Sequence, residues 1–420
     1  MKKKQYKINS FFSGIGGFDI AFEKKGFATQ MLCEINPFCN QILGRHWPNV
    51  QKFSDINEID SKDIPNSDVW CGGFPCQDIS VARGASERLG LAGSRSGLFY
   101  RFAELIGNRQ PEVVVIENVA GLFNSNNGRD FGVILQTLSN LGYGIAWRLL
   151  NSRYFGVPQS RTRVYICCWK NNSTKAIKVM FDKEGAPKPQ NTRKDFITEA
   201  NKVDEFPKVP IVSYCLAASS GRHTGTDWSR TYVVCENGVR RLSPLESERL
   251  QGFPDYWTTP NGNDNSDENV DTLRYTAIGN AVSVPVVEWV AEKIHREMSQ
   301  QGNEPSLQDI LSNYNDFSKI KQIEKPLCEI DFSDSSNAYK WAHGGFVENG
   351  VCFECDAYPT PVNIAESSLL DLIEKDQNNK NYFLTPNAAE GILRRVDHQK
   401  RTLFAPLRKG LEILKSKNNK

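Results

Sequence analysis

Between Lys7 and Trp169 short apolar runs alternate with longer amphipathic stretches. The runs are Tyr6 to Phe12, Ala28 to Cys33, Val69 to Cys71, Val113 to Ile116, Ile145 to Leu150 and Arg163 to Cys168. They are short and rich in β-formers, whereas FDIAFEKKGF, LFYRFAELIGNR and FGVILQTLSNLG carry apolar residues at helical spacing. This alternation predicts a mainly parallel sheet with helical crossovers, a doubly wound Rossmann-like α/β domain. Ligands of such sheets sit at the carboxyl ends of the strands. The residues that follow the runs are Ser13-Gly14-Ile15-Gly16-Gly17, Glu34, Pro75-Cys76-Gln77 and Glu117-Asn118.

Past Trp169 the pattern changes. Residues 170–238 are rich in Lys, Asn and Pro and show no clear period. Periodicity returns at Leu242, where Ser243-Pro244 predicts an N-cap and first helical residue and Gly252 a C-cap. A second helix is expected from Val284 to Met298, then SQQGNEPS reads as a linker into a C-terminal region of about 115 residues. There, Thr385-Pro386 has the logic of a helix start. The basic run through Arg394, Arg395, Lys400, Arg401, Arg408 and Lys409 fits phosphate contact and a solvated tail equally.

Composition narrows the class. A chain of 420 residues is too long for one ordinary core, and 39% hydrophobic and 24% charged residues with a net charge of +2 describe a globular protein. No apolar run approaches the roughly 18 residues of a membrane span. The segment MKKKQYKINSFF lacks the apolar stretch and cleavage site of a signal peptide, so a cytoplasmic location is expected. Eleven cysteines without dense, regular spacing point to reduced thiols rather than a disulfide framework.

The first loop, FFSGIGGFDIAF, lets the backbone approach a ligand and can aim a helix N-terminus at it. Gly14 and Gly16 meet the first two positions of a dinucleotide fingerprint, but Asp19 stands at the sixth. A nucleoside without a pyrophosphate still fits, with Glu34, about 20 residues on, able to hold ribose hydroxyls. The alternative is a tight turn and a solvated strand end. In VWCGGFPCQDIS, Cys71 lies inside the apolar run and reads as a small core residue. Cys76 follows Gly-Gly-Phe-Pro at the strand end, where a thiol can face a cleft, and Glu117 ends a run on the same sheet edge.

FFSGIGGF, GGFPCQ, ENVAG, QSRTR, RRLSPLESERLQGFP and GNAVSVPV occur in that order over about the first 300 residues. Together they resemble the cytosine-5 DNA methyltransferases of bacterial or phage restriction-modification type, which use S-adenosylmethionine. The resemblance implies a methyltransferase core over 1–169 and a target-recognition region over 170–238. It places the remainder of that region and the return to the core over 239–299, leaving a C-terminal extension over 300–420. It implies cofactor contacts from Phe12, Ser13, Gly14, Gly16 and Gly17, ribose binding by Glu34, and an adenine site at Asp55 and Ile56 flanked by Ile35 and Phe74. Leu98, Asn280 and Val282 would close that pocket. Cys76 matches the nucleophile, and Glu117, Arg161 and Arg163 match the groups that hold and activate the target base.

The implied partner is double-stranded DNA, whose cytosine must swing out of the stack. The Gly-, Ser- and Arg-rich segment after Cys76 suits closure over DNA, with Ser80, Arg83, Arg88 and Arg95 at the backbone. Within Ser213 to Val234, Arg222, His223, Thr224 and Arg230 are candidates for base edges or phosphates. A monomer is expected, with any cognate endonuclease acting on the same site without a stable complex. GGFVENGVCFECDAYPTP and YFLTPNAAEGILRRVDHQKRTL resemble segments of phage-type cytosine methylases that often precede the RRLSP block, whereas here they follow GNAV. Cys352 and Cys355, with Cys328 and His343, are candidate zinc ligands, but a single CxxC without regular partner spacing is a weak signal, and the expected chemistry requires no metal. Two rivals differ in kind. An RNA cytosine-5 methyltransferase would tend to carry Pro-Pro-Cys at Phe74-Pro75-Cys76, and a silent DNA-binding protein would lose the thiol or the acid.

Overall fold

The apolar runs of the first half become strands of one sheet. In a computed structural model, described over residues 4–75, 97–189, 205–221, 227–260, 268–300, 304–374 and 380–417, the chain opens with β1 (Lys7–Phe11), α1 (Gly17–Lys24), β2 (Ala28–Cys33), α2 (Pro37–His46) and β3 (Gln51–Phe53). Then come β4 (Val69–Gly72), α3 (Leu98–Arg109), β5 (Val113–Val119), α4 (Arg129–Asn140) and β6 (Tyr143–Asn151). The next elements are β7 (Gln159–Ser160), β8 (Thr162–Lys170), α5 (Ser173–Met180), β9 (Ser213–Tyr214), β10 (Tyr232–Cys235), β11 (Gly238–Arg241), α6 (Pro244–Gln251) and α7 (Glu268–Asn280). The last are α8 (Val284–Ser299), α9 (Leu307–Asn313), β12 (Lys321–Gln322), β13 (Gly344–Glu348), β14 (Val351–Cys355), α10 (Pro386–His398) and α11 (Ala405–Ser416).

Two units divide these elements: residues 1–151, 162–188 and 286–363 form the first, and 152–161, 189–285 and 364–420 the second. The first holds a ten-stranded sheet in the order β12-β14-β13-β6-β8-β5-β4-β1-β2-β3. Pairing is parallel from β3 through β5, as the alternating pattern predicts. From β5 outward it is antiparallel, because β8 runs back between β5 and β6 and a hairpin closes the far side. The expectation of a mainly parallel sheet therefore holds for one half only. Doubly wound architecture survives, with Phe11, Trp70, Phe102, Ile116, Phe131 and Trp147 among the residues of one continuous core.

The units cut across the boundaries expected at 169, 238 and 299. Residues 300–420 are not one appendage: β13 pairs with β6, and Leu327, Phe332, Trp341, Val347 and Cys352 join the core of the first unit. Arg148, in the middle of β6 and 1% exposed, donates to the carbonyls of Met180 (2.9 Å), Tyr358 (3.1 Å) and Thr360. A buried guanidinium must be met by acceptors, and three carbonyls from two backbone segments meet it here. The sequence signal for this hairpin is Asn349-Gly350 between alternating runs, both at positive φ (48° and 80°), the favoured two-residue turn.

In the second unit the β10–β11 ribbon packs on α10 and α11 through Tyr232, Val234, Val239, Leu393, Phe404 and Leu411. Its helix ends follow the sequence. Ser243 forms a capping box with Glu246, Gly252 closes α6 at φ 82°, and the Thr385 side chain caps α10 ahead of Pro386. Residues 170–238, which show no clear period, nonetheless contain α5, an eight-residue amphipathic turn too short for the pattern to reveal. No helix among the described residues is long and apolar enough to cross a membrane.

Candidate active site

Elements of the first unit bring its candidate residues to the carboxyl edge of the parallel strands. After β1 the chain turns at Phe12 (φ 53°), Gly14 (φ 55°) and Gly16 (φ 81°), and Gly16 caps α1. The Ser13 backbone N–H donates to the Cys33 carbonyl at 2.9 Å, and its hydroxyl accepts from the Cys33 N–H at 3.1 Å. Ser13 thus ties the loop to β2, and the N-terminal N–H groups of α1 remain for an anionic ligand. Glu34 accepts from the N–H of Gly14 (2.7 Å) and of Asn36 (2.8 Å). A carboxylate has about four lone-pair sites, so capacity remains for hydroxyl donors. Ile35 beside it is 70% exposed, an apolar face next to a polar group, as a flat ring would need.

The residues expected on the adenine side divide. Asp55 caps the turn at Ile56–Glu58, with Oδ1 accepting from the Asn57 backbone and side chain, both at 2.9 Å. Ile56 and Phe74 have their side chains in the core, Phe74 against Phe99 with ring centroids 5.1 Å apart. Ile56 therefore offers a ligand its backbone only. Leu98 opens α3, partly buried against the same core, and Phe12 meets Phe102 edge-on at 6.0 Å.

Beneath the loop lies a cluster that sequence reasoning missed. Asp19, in the first turn of α1, is fully buried, and neither carboxyl oxygen has a hydrogen-bond partner; the same holds for Ser10 Oγ and Thr29 Oγ1. Burial pushes the Asp19 carboxyl up to about 7, and the nearby Glu23 charge reinforces the shift. Cys71 shares this interior, is fully buried, and has its thiol pushed well up by desolvation and then by Asp19. It is the core residue expected.

The edge expected to be catalytic centres on Glu117. Arg163 on β8, paired with Val119 of β5, sets its Nε 3.1 Å from Glu117 Oε1. The Asn118 side chain donates to the Phe74 carbonyl at 3.1 Å, clamping the turn that leads to Cys76. Gly73 keeps the approach close: a Cβ would stand 3.2 Å from the Glu117 carbonyl and 3.3 Å from Oε2, tighter than ordinary contact, so the turn or the acid would have to shift by a few tenths of an ångström. Gly72–Ile116 pairing fixes this close approach of turn and acid. Cys76 itself, with Ser80, Arg83, Arg88 and Arg95, lies outside the described residues.

Arg161 corrects an expectation. It belongs to the second unit, is 3% exposed, and donates to the carbonyls of Leu216 (3.0 Å), Gly279 (3.2 Å) and Ala281 (2.8 Å). Both terminal nitrogens are engaged by backbone, so it positions the Gly279–Ala281 segment instead of holding a base. Gln159 and Gln251 complete this knot: Gln159 donates to the Leu250 carbonyl and accepts from the Leu216 N–H, both at 2.9 Å, and Gln251 donates to the Ile278 carbonyl at 2.8 Å. Three sequence blocks thereby meet in one buried polar network. Exposed Asn280 and buried Val282 sit at its end. Arg240 and Glu246 form a buried two-pronged pair at 2.7 and 2.8 Å.

Arg230 is half-buried and donates to the Ser219 carbonyl at 2.7 Å; with Tyr214, Thr231, Arg241 and Tyr275 it lines a recess of the second unit. Arg222, His223 and Thr224 lie outside the described residues. Cys352 and Cys355 are three apart on one strand and so point to opposite faces of the sheet. Among the described residues no three His, Cys, Asp or Glu side chains group as a metal site.

A family model described as C-5 cytosine-specific DNA methylase matches residues 6–209 and 188–296. The type II methyltransferase M.NgoBI of Neisseria gonorrhoeae is 32% identical over 304 residues, 67% of this chain and 91% of its own. M.Bsp6I of Bacillus sp. (strain RFL6) is 31% identical over 328 residues, 70% and 99% respectively. Among solved structures, the Entamoeba histolytica methyltransferase EhMeth has a TM-score of 0.50 at 20% identity, covering 71% of this chain and all of that one.

Proposed function

That the chain belongs to the C-5 cytosine-specific DNA methylases is the premise from which we propose how its residues work. It is an S-adenosylmethionine-dependent DNA (cytosine-5-)-methyltransferase of restriction-modification type. The residues suit the cofactor: the free N-terminus of α1, the remaining lone pairs of Glu34 and the exposed Ile35 offer an anion site, a hydroxyl acceptor and a ring face. When bound, S-adenosylmethionine supplies an electrophilic methyl group on a sulfonium.

The protein's task is to make carbon 5 of cytosine nucleophilic and align it. Cys76 adds as thiolate to carbon 6, breaking the aromatic ring. Glu117, oriented by Arg163, holds the ring nitrogen 3 and amino side and stabilises the electrons pushed there. Carbon 5 takes the methyl group, then loses its proton to a base as the Cys76–carbon 6 bond breaks and the thiolate leaves. The target base reaches this edge by leaving the duplex. The observation that carries the proposal is the packing of the Gly73–Pro75 turn against Glu117, held by Asn118. We further propose that the enzyme works in the cytoplasm as a monomer, with any cognate endonuclease acting separately on the same site.

Bisulfite sequencing of DNA from a host expressing the protein tests the assignment. Modified cytosines within one short sequence, absent with Cys76→Ala, are expected. Unmodified DNA beside newly marked RNA would overturn it.

A further inference from the structure

The family match ends at residue 296, yet α10 and α11 are part of the second unit and pack on the ribbon that carries the expected DNA-reading segment. Two contacts bind the helical pair to that segment, and a third braces the acid that one of them uses. Arg395 Nε pairs with the wholly buried Asp227 side chain at 2.9 Å, and Tyr232 donates to the other Asp227 oxygen at 3.0 Å. The Arg401 guanidinium stacks over the Trp228 ring at 4.4 Å, which fixes the turn between the two helices beside residues 227–230.

The charge of this piece is out of proportion. Residues 385–417 hold eight Lys/Arg against three Asp/Glu, where the whole chain holds 51 against 49. All three acids are already engaged, Asp397 and Glu412 with Arg408 and Glu390 with Lys415. Exposed Arg394, Lys400, Lys409 and Lys417 form no ion pair among the described residues. Helical residues opposite the buried Ala389, Ile392, Leu393 and Val396 face solvent, and Arg394 is one of them.

We propose that the α10–α11 pair is a second phosphate-binding surface for the duplex, flanking the sequence that the segment around Trp228 reads. The proposal rests on the DNA reading given above. Unpaired cations next to a base-reading element raise affinity through counterion release without adding sequence information. The surface would bind flanking backbone whatever its sequence.

The test is the salt dependence of binding for a duplex carrying the methylated sequence, with wild type and the triple variant Arg394→Gln/Lys400→Gln/Lys409→Gln. Three lost phosphate contacts make the slope of log K against log salt shallower by about 2.7. The KM for DNA should rise with kcat and cofactor affinity unchanged. Arg401→Lys, which keeps charge but loses the planar stack, controls for support of Trp228, and its slope should stay within about one contact of wild type. Methylated DNA with an unchanged slope in the triple variant overturns this inference alone. DNA that wild type leaves unmethylated overturns the DNA reading and this surface with it.

Discussion

Replacing Asp19 by asparagine separates the charge of this side chain from its shape. The folded carboxyl stands near 7 because burial disfavours its anion, while in the unfolded chain it ionises near its ordinary 3.8. Below that lower value both states are protonated and the folded state loses nothing. As pH rises the unfolded state gains by ionising first, so stability falls until the folded carboxyl also ionises, near 7. At about 1.36 kcal/mol per tenfold the full loss is on the order of 4 kcal/mol, of which roughly 2.5 falls between pH 5 and pH 8. An amide at this position cannot ionise and should escape that loss. Urea unfolding of wild type and Asp19→Asn across this range, corrected for shared pH dependence by subtraction, should show the advantage of the variant growing from pH 5 and levelling off above 7. A difference that stays flat from pH 5 to 8 refutes the reasoning, and would mean that the carboxyl is solvated in the folded protein.

Five other substitutions have definite outcomes. Cys76→Ala should abolish methyl transfer with cofactor affinity intact by calorimetry, whereas Cys71→Ala should cost about 1 kcal/mol of stability and little activity. Glu117→Gln should lower kcat by about 10²–10⁴, read in single-turnover methylation. Gly73→Ala pushes the turn away from Glu117 and should cost about 10²-fold in rate with unchanged cofactor binding. Arg148→Met leaves three carbonyls without their donor and should destabilise the first unit by about 3 kcal/mol, with faster hydrogen exchange over residues 344–355.

The sequence made some parts of this molecule legible and hid others for physical reasons. β2 and α3 appear at the expected residues because their burial is one-sided or complete and their period uninterrupted. Glu117 and Arg163 were legible as members of ordered blocks, and the structure places them in contact. Arg161 was misread because a sequence block records which residues recur together and not which way each faces. Two residues along a chain that leaves one unit and enters another can serve different networks. Asp19 gave no signal beyond spoiling a fingerprint, since burial of a carboxyl is a tertiary property. The β13–β14 hairpin had a local signature in Asn349-Gly350, but nothing local says that its partner is β6.

That partnership has a consequence for synthesis. β6 ends at residue 151 and β13 begins at 344, so at 5–20 residues per second the ribosome takes roughly 10–40 s to deliver the strand that covers β6. Throughout that interval one side of YGIAWRLLN, buried at every position in the finished protein, is an open template for pairing with other nascent chains. Arg148 stands at its centre, the kind of charge that discourages such pairing until the carbonyls of residues 358 and 360 arrive to accept it. One side chain thus guards the growing polypeptide early and fastens the sheet late.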